Sequence, residues 1–106
     1  MIENIFKFTK DNKKTIERII EDDYIGLNHM ILPKGDALPV HNANSNVYML
    51  VVKGIISLKL DDQEQHDYSE GHILNIPHMT KMSVFNENDD LAEIFVVKST
   101  SPKTIK

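Results

Sequence analysis

Hydrophobic residues along the chain fall into short runs separated by polar or glycine-containing joints. Residues 25–32, 47–52, 55–60, 72–76, 81–86 and 91–98 are such runs, each rich in β-branched or aromatic side chains, and their lengths predict strands. The joints Lys53-Gly54, Asp61-Asp62-Gln63-Glu64, Ser69-Glu70-Gly71 and Glu87-Asn88-Asp89-Asp90 carry the turn chemistry that closes hairpins. Residues 15–20 fit one helical turn or an edge strand, and the strand reading is preferred. Several short strands joined by such turns predict an all-β sandwich or barrel. The pattern expects one domain over 1–106, with N-terminal strands within 1–24, a barrel core over 25–98 and a frayed polar tail at 99–106.

Two runs depart from simple alternation. Residues 47–52 read Val-Tyr-Met-Leu-Val-Val, apolar at every position, so both faces of that strand need cover. Tyr48, Leu50 and Val52 share one face, and the last strand is also apolar on both sides, with Ile94 and Val96 opposite Phe95 and Val97. The N-terminal strands or a second copy of the chain must cover the outward set, and a homodimer formed by sheet packing is the expectation.

Composition narrows the classes. The chain has 106 residues, 41% hydrophobic and 26% charged, enough for one core but not for a second lobe. Twelve Lys and Arg against sixteen Asp and Glu give a formal charge of −4, which disfavours nucleic acid as a partner. With no cysteine, disulfides, thiolate nucleophiles and Cys-based metal centres are excluded. No apolar segment approaches the ~18 residues that cross a bilayer, and the first residues do not read as a secretory leader. A cytoplasmic protein without a membrane partner is the default expectation.

The punctuation then resolves into two motifs. From Gly35 through His41, Ala43 and Val47 to Gly54, the segment resembles the first motif of the cupin family: glycine, five residues, His-x-His, three or four residues, glutamate, six residues, glycine. From Gly71 through Pro77 and Met82 to Asn86, it resembles the second. The resemblance implies a small single-domain cupin of the cupin-2 type, a double-stranded β-helix or jelly-roll barrel. Beside it stands a physical reading: Gly35, Gly54 and Gly71 lie at strand junctions where a positive φ is useful, and Pro77 ends a strand. Metal-binding cupins usually supply three histidines and a glutamate. Here the first histidine is kept as His41, while Ala43, Val47 and Met82 stand at the other three positions. One imidazole holds a divalent ion poorly, so no cofactor is expected and the usual metal site reads as lost.

Strand alternation places His41, Ala43, Val47, Met49, Val51, Met82 and Val84 inward, with Tyr48 opposite, as an apolar pocket with His41 at its mouth. His78, after Pro77 at the rim, is a further pocket candidate. His41 and His78 with the thioethers of Met79 and Met82 would form an atypical site for a single transition-metal ion, Cu(I) by softness. The plainer reading of the methionines is core filling. His29, His66 and His72 receive no role. Asn42, Asn44 and Asn46 could hydrogen-bond a ligand or simply form a turn. The acids Asp61, Asp62, Glu64, Glu87, Asp89 and Asp90 read as solvated turn tips.

Three functions fit: a metal-free homodimeric module binding an unknown small molecule, a cupin-type enzyme resembling isomerases, epimerases or dioxygenases with His41 as acid/base or unusual metal ligand, and a barrel for protein assembly. The first is preferred.

Overall fold

The computed structural model describes residues 1–104. Among these, β1 (Thr15–Glu21), β2 (Gly26–Leu32), β3 (His41–Asn42), β4 (Asn46–Lys53), β5 (Ile55–Leu60), β6 (His66–Ser69), β7 (Ile73–Ile76), β8 (Lys81–Phe85) and β9 (Ala92–Ser99) are followed by one 3-10 turn, Pro102–Thr104. They form a five-stranded sheet in the order β1-β2-β9-β4-β7 and a four-stranded sheet in the order β3-β8-β5-β6. Every strand pair is antiparallel. The two sheets enclose one apolar core, as expected of a double-stranded β-helix.

Alternation explains which side chains reach that core. Along β9 the inward residues Ala92, Ile94 and Val96 are buried, while the outward Phe95 and Val97 are only half-buried. Met30 and Leu32 from β2, Val47, Met49 and Val51 from β4, and Met82 and Val84 from β8 join them. Each of the valine, leucine, isoleucine and methionine side chains contributes roughly 1.5–3 kcal/mol by leaving water.

Three expectations about the connections are corrected. Of the four polar joints, only residues 61–64 close a hairpin, between β5 and β6. The joints at 53–54, 69–71 and 87–90 instead carry the chain from one sheet to the other. At Gly54 the corner is tight: φ is +71°, and a Cβ there would lie 2.3 Å from the Leu91 carbonyl oxygen. The same turn residues serve hairpins and corners, because both need backbone conformations that ordinary side chains resist.

The N-terminal region holds one strand, β1, and residues 1–14 form none. Six of the eight residues from Lys7 to Lys14 are charged or amide-bearing, with none of the alternation a strand needs. This arm lies on the outer face of the larger sheet. Phe8 packs against His29 and Phe95, each at 5.0 Å between ring centroids, and Thr9 donates from its amide and hydroxyl to the Glu17 carboxylate at 2.8 and 2.9 Å. The tail is docked through its first residues. Ser101 is fully buried, and its amide donates to the Tyr24 carbonyl at 3.1 Å. Ile105 and Lys106 lie outside the described residues.

Candidate ligand site at the barrel mouth

The two motifs meet at one end of the barrel. His41 of β3 pairs with Met82 of β8, and the segment after β3 is tied down by Ala43, whose amide donates to Thr80 O while its carbonyl accepts from the Met79 amide, both at 2.8 Å. Ala43, Val47, Met49 and Met82 are each at most 4% exposed. With His41 they line a cavity of about 40 Å³, completed by Asn28, Met30, Leu38, Asn44, Val96 and Lys98. That volume equals a few water molecules, far below the roughly 300–1,000 Å³ of drug-sized ligand sites. Buried aliphatic side chains, among them Leu32, Val51, Ile56, Leu58, Ile76 and Ile94, fill the rest of the barrel.

His41 sits at the rim with its ring exposed. Its Nδ1 lies 2.8 Å from the Pro39 carbonyl, which can only accept, so Nδ1 carries the proton. In the neutral ring Nε2 is then left with a free lone pair.

Other sequence candidates go elsewhere. Val51 and Val84 are buried in the core and do not line the cavity. His78 does not reach it either and is exposed. The Thr80 amide donates to the Pro77 carbonyl at 3.2 Å, and Met79 takes a φ of +74° and is 63% exposed. This turn faces His78 and Met79 toward solvent, so the imidazole and thioether set for Cu(I) is not brought together; only His41 and Met82 are. Among the asparagines, Asn44 lines the cavity, Asn42 is exposed, and Asn46 accepts from Asn75 at 2.9 Å.

Two inward polar residues, Asn28 and Lys98, were missed. Both occupy inward positions of their strands, Asn28 pairing with Val96 and Lys98 with Gly26, so polarity at inward parity was the available signal. Burial, with the Arg18 guanidinium nearby, lowers the Lys98 ammonium from its ordinary pKa, and Glu21 partly opposes the shift.

No protein-family model matches the chain. It is 41% identical over 106 residues to an uncharacterized protein, MJ0764, of Methanocaldococcus jannaschii, covering 99% of this chain and 91% of that one. The crystal structure of that protein, described as an RmlC-like cupin family protein with a double-stranded β-helix fold, matches with a TM-score of 0.94 and 40% identity, covering 97% and 95% of the two chains. The chain belongs to the RmlC-like cupin family. A cupin superfamily protein of Desulfitobacterium hafniense (TM-score 0.73, 12% identity, 88% and 83% covered) and a cupin 2 conserved barrel protein of Salinispora arenicola (0.74, 13%, 95% and 94%) share the fold.

The metal familiar from cupins does not fit this cupin's donors. An imidazole, a methyl group, an isopropyl group and a thioether stand where three imidazoles and a carboxylate would be needed. Among the described residues, no three His, Asp or Glu side chains are grouped to hold an ion.

A second polar cluster lies on the outer face of the larger sheet. His29, which the sequence left without a role, is fully buried. Its Nδ1 lies 2.6 Å from Glu17 and its Nε2 2.5 Å from Glu93. Carboxylates only accept, so both contacts are hydrogen bonds only when each carries a proton, as in an imidazolium between two carboxylates. The Thr9 amide first, and the His29 ring second, hold the Glu17 carboxyl below its ordinary pKa. Beside the cluster runs an open cleft of about 530 Å³, between the arm residues Phe8, Lys10, Asp11 and Asn12 and Lys53, Leu91 and Glu93. It contains none of the cupin motif positions.

Proposed function

We propose that this cupin is a metal-free binding module for a small molecule, taken up at the barrel mouth, and that it works as a homodimer. The observation that carries the reading is the cavity itself: an apolar floor of Met30, Val47, Met49, Met82 and Val96 beneath a rim of His41, Asn28, Asn44 and Lys98. Such a pairing of apolar lining with a few convergent polar groups is the usual form of a small-ligand site. The test is metal analysis of untagged protein together with a thermal-shift screen of metabolites. Ligand hits that disappear in Met82→Trp, which fills the cavity, support the reading. Stoichiometric iron, zinc, nickel or copper that is lost in His41→Ala overturns it.

The dimer reading rests on the outer face of the larger sheet. Tyr48 is 41%, Val52 42% and Ile73 66% exposed. They adjoin the half-buried Leu50, Phe95 and Val97, which pair across β4, β7 and β9. A contiguous apolar face of this kind is what a two-fold interface covers. Sedimentation should give a dimer for the natural chain and a monomer for Leu50→Lys; a monomer for both at micromolar concentration overturns it.

A second reading, a cupin enzyme, is favoured only by His41, whose free Nε2 suits a general base. Turnover of a metabolite that is lost in His41→Ala would establish it.

A further inference from the structure

The inner face of a barrel strand should stay apolar until the strand leaves the core. On β9 it does so through Ala92, Ile94 and Val96, and then ends on Lys98. Directly opposite Lys98 stands Gly26. A Cβ on Gly26 would lie 3.4 Å from Lys98 Cβ and 3.5 Å from its Cδ, so the lysine stem lies over the space that a side chain at position 26 would take. The stem is thereby held at the cavity mouth, where Lys98 lines the wall together with Asn28 and Asn44.

Lys98 is half-buried, yet it joins none of the ion pairs among the described residues. The nearby acid Glu21 is bonded to Arg18 at 2.9 Å. Arg18 and Lys98 also share the wall of a small neighbouring pocket with Asn28, Asn44 and the Arg18-bonded Glu21, so two cations and two amides face that space against one carboxylate that is already paired. A half-buried ammonium with no carboxylate in ion-pair contact among the described residues is unfavourable, and an anion seated beside it would offset that cost.

We propose that the barrel mouth binds the carboxylate of a short aliphatic acid, with the Lys98 ammonium as its counter-ion, the Asn28 and Asn44 amides as further donors, and the hydrocarbon tail in the Met30, Met49 and Val96 cavity. The inference rests on the small-molecule reading above and names the ligand class for that site. The cavity of about 40 Å³ limits the tail to a few carbons, as in propionate or isobutyrate. Burial first and then Arg18 lower the pKa of Lys98, with Glu21 opposing, so an anion beside the ammonium would favour its charged form.

Three probes test it by NMR titration of amide and methyl signals at the mouth: isobutyrate, its neutral isostere isobutyramide, and inorganic phosphate. Isobutyrate should saturate signals of Val47, Val96 and Lys98, and bind at least about tenfold more tightly than either other probe. Lys98→Met should lose that preference and Lys98→Arg should keep it. Lys98→Met should also fold at least as well as the natural chain, since it removes a charge that burial disfavours, so a lost preference reads on binding. Isobutyramide binding as well as isobutyrate, in both the natural chain and Lys98→Met, overturns the carboxylate inference and leaves the small-molecule reading standing. Phosphate matching isobutyrate overturns the role of the tail. Saturation by none of the three overturns the inference, while hits from the wider screen that Met82→Trp removes would still uphold the binding module.

Discussion

Replacing His29 by leucine should separate the polar role of the outer cluster from its packing. Leucine keeps most of the ring's volume against Phe8 and Phe95, whose centroids lie 5.0 and 4.7 Å from the imidazole, so the chief loss is two hydrogen bonds to carboxylates. Hydrogen bonds to charged groups contribute about 1.5–3 kcal/mol each. The Glu17 and Glu93 side chains are 27% and 20% exposed, so water recovers part of the loss and the sum falls to about 3 kcal/mol. For a domain this size that lowers Tm by about 12–24 °C. Urea unfolding followed by circular dichroism measures the free energy, and trypsin cleavage at Lys7 and Lys10 reports release of the arm held by Phe8 and Thr9. In a Glu17→Gln, Glu93→Gln background the same His29→Leu change should cost less than about 1 kcal/mol, because the charge coupling is already gone. Equal costs in the two backgrounds, or a cost under about 1 kcal/mol in the natural chain, would refute the reasoning.

Asn86, buried after β8, donates from its side-chain amide to the Leu32 and Asp90 carbonyls at 2.8 Å each and accepts from the Asn88 amide at 2.9 Å; Asn86→Ala should lower stability by about 3 kcal/mol in a urea titration, at about 1 kcal/mol per hydrogen bond. Gly54→Ala should cost at least about 3 kcal/mol, combining a positive φ with a collision at the Leu91 carbonyl, whereas Gly71→Ala, at φ +93° with nothing within 4 Å, should cost only about 1–2 kcal/mol. Similar melting temperatures for these two variants would count against the tight corner. Because the folded pKa of Glu17 is lowered from 4.5, its contribution is fully present above about pH 4.5 and is lost as pH falls through the folded value. Tryptic release of the arm before and after brief exposure to falling pH should follow that window, and Glu17→Gln should flatten the response.

Strands were legible wherever one face is buried and the other wet, as at Ala92, Ile94 and Val96, because a period of two leaves a strong imprint on residue choice. The short strands β3 and β6 were not: His41-Asn42 and His66 to Ser69 are mostly polar, and pairing makes them strands, β3 with the distant β8 and β6 with β5 across the 61–64 hairpin. Corners passed for hairpins because turn residues report local backbone shape, while sheet membership is decided by distant partners. At the site, the motif spacing placed His41, Ala43, Val47 and Met82 on one wall, and the parity that locates Asn28 and Lys98 was present but unused. His29 could not be read at all. Its two carboxylate partners stand 12 and 64 positions away, and nothing local marks a histidine for burial.

The placement of β9 between β2 and β4 also bears on how the chain is made. Among the described residues the last strand in sequence is the one that joins the two halves of the larger sheet. Until residues 92–99 emerge, the facing edges of β2 and β4 lie open, each offering unpaired amides and carbonyls to any strand nearby. Closure of the larger sheet must therefore wait for residues 92–99, and it depends on long-range pairing rather than on early hairpins. A nascent chain stalled before Ala92 would be a substrate for chaperones or a seed for aggregation, although most of its core residues have already been made.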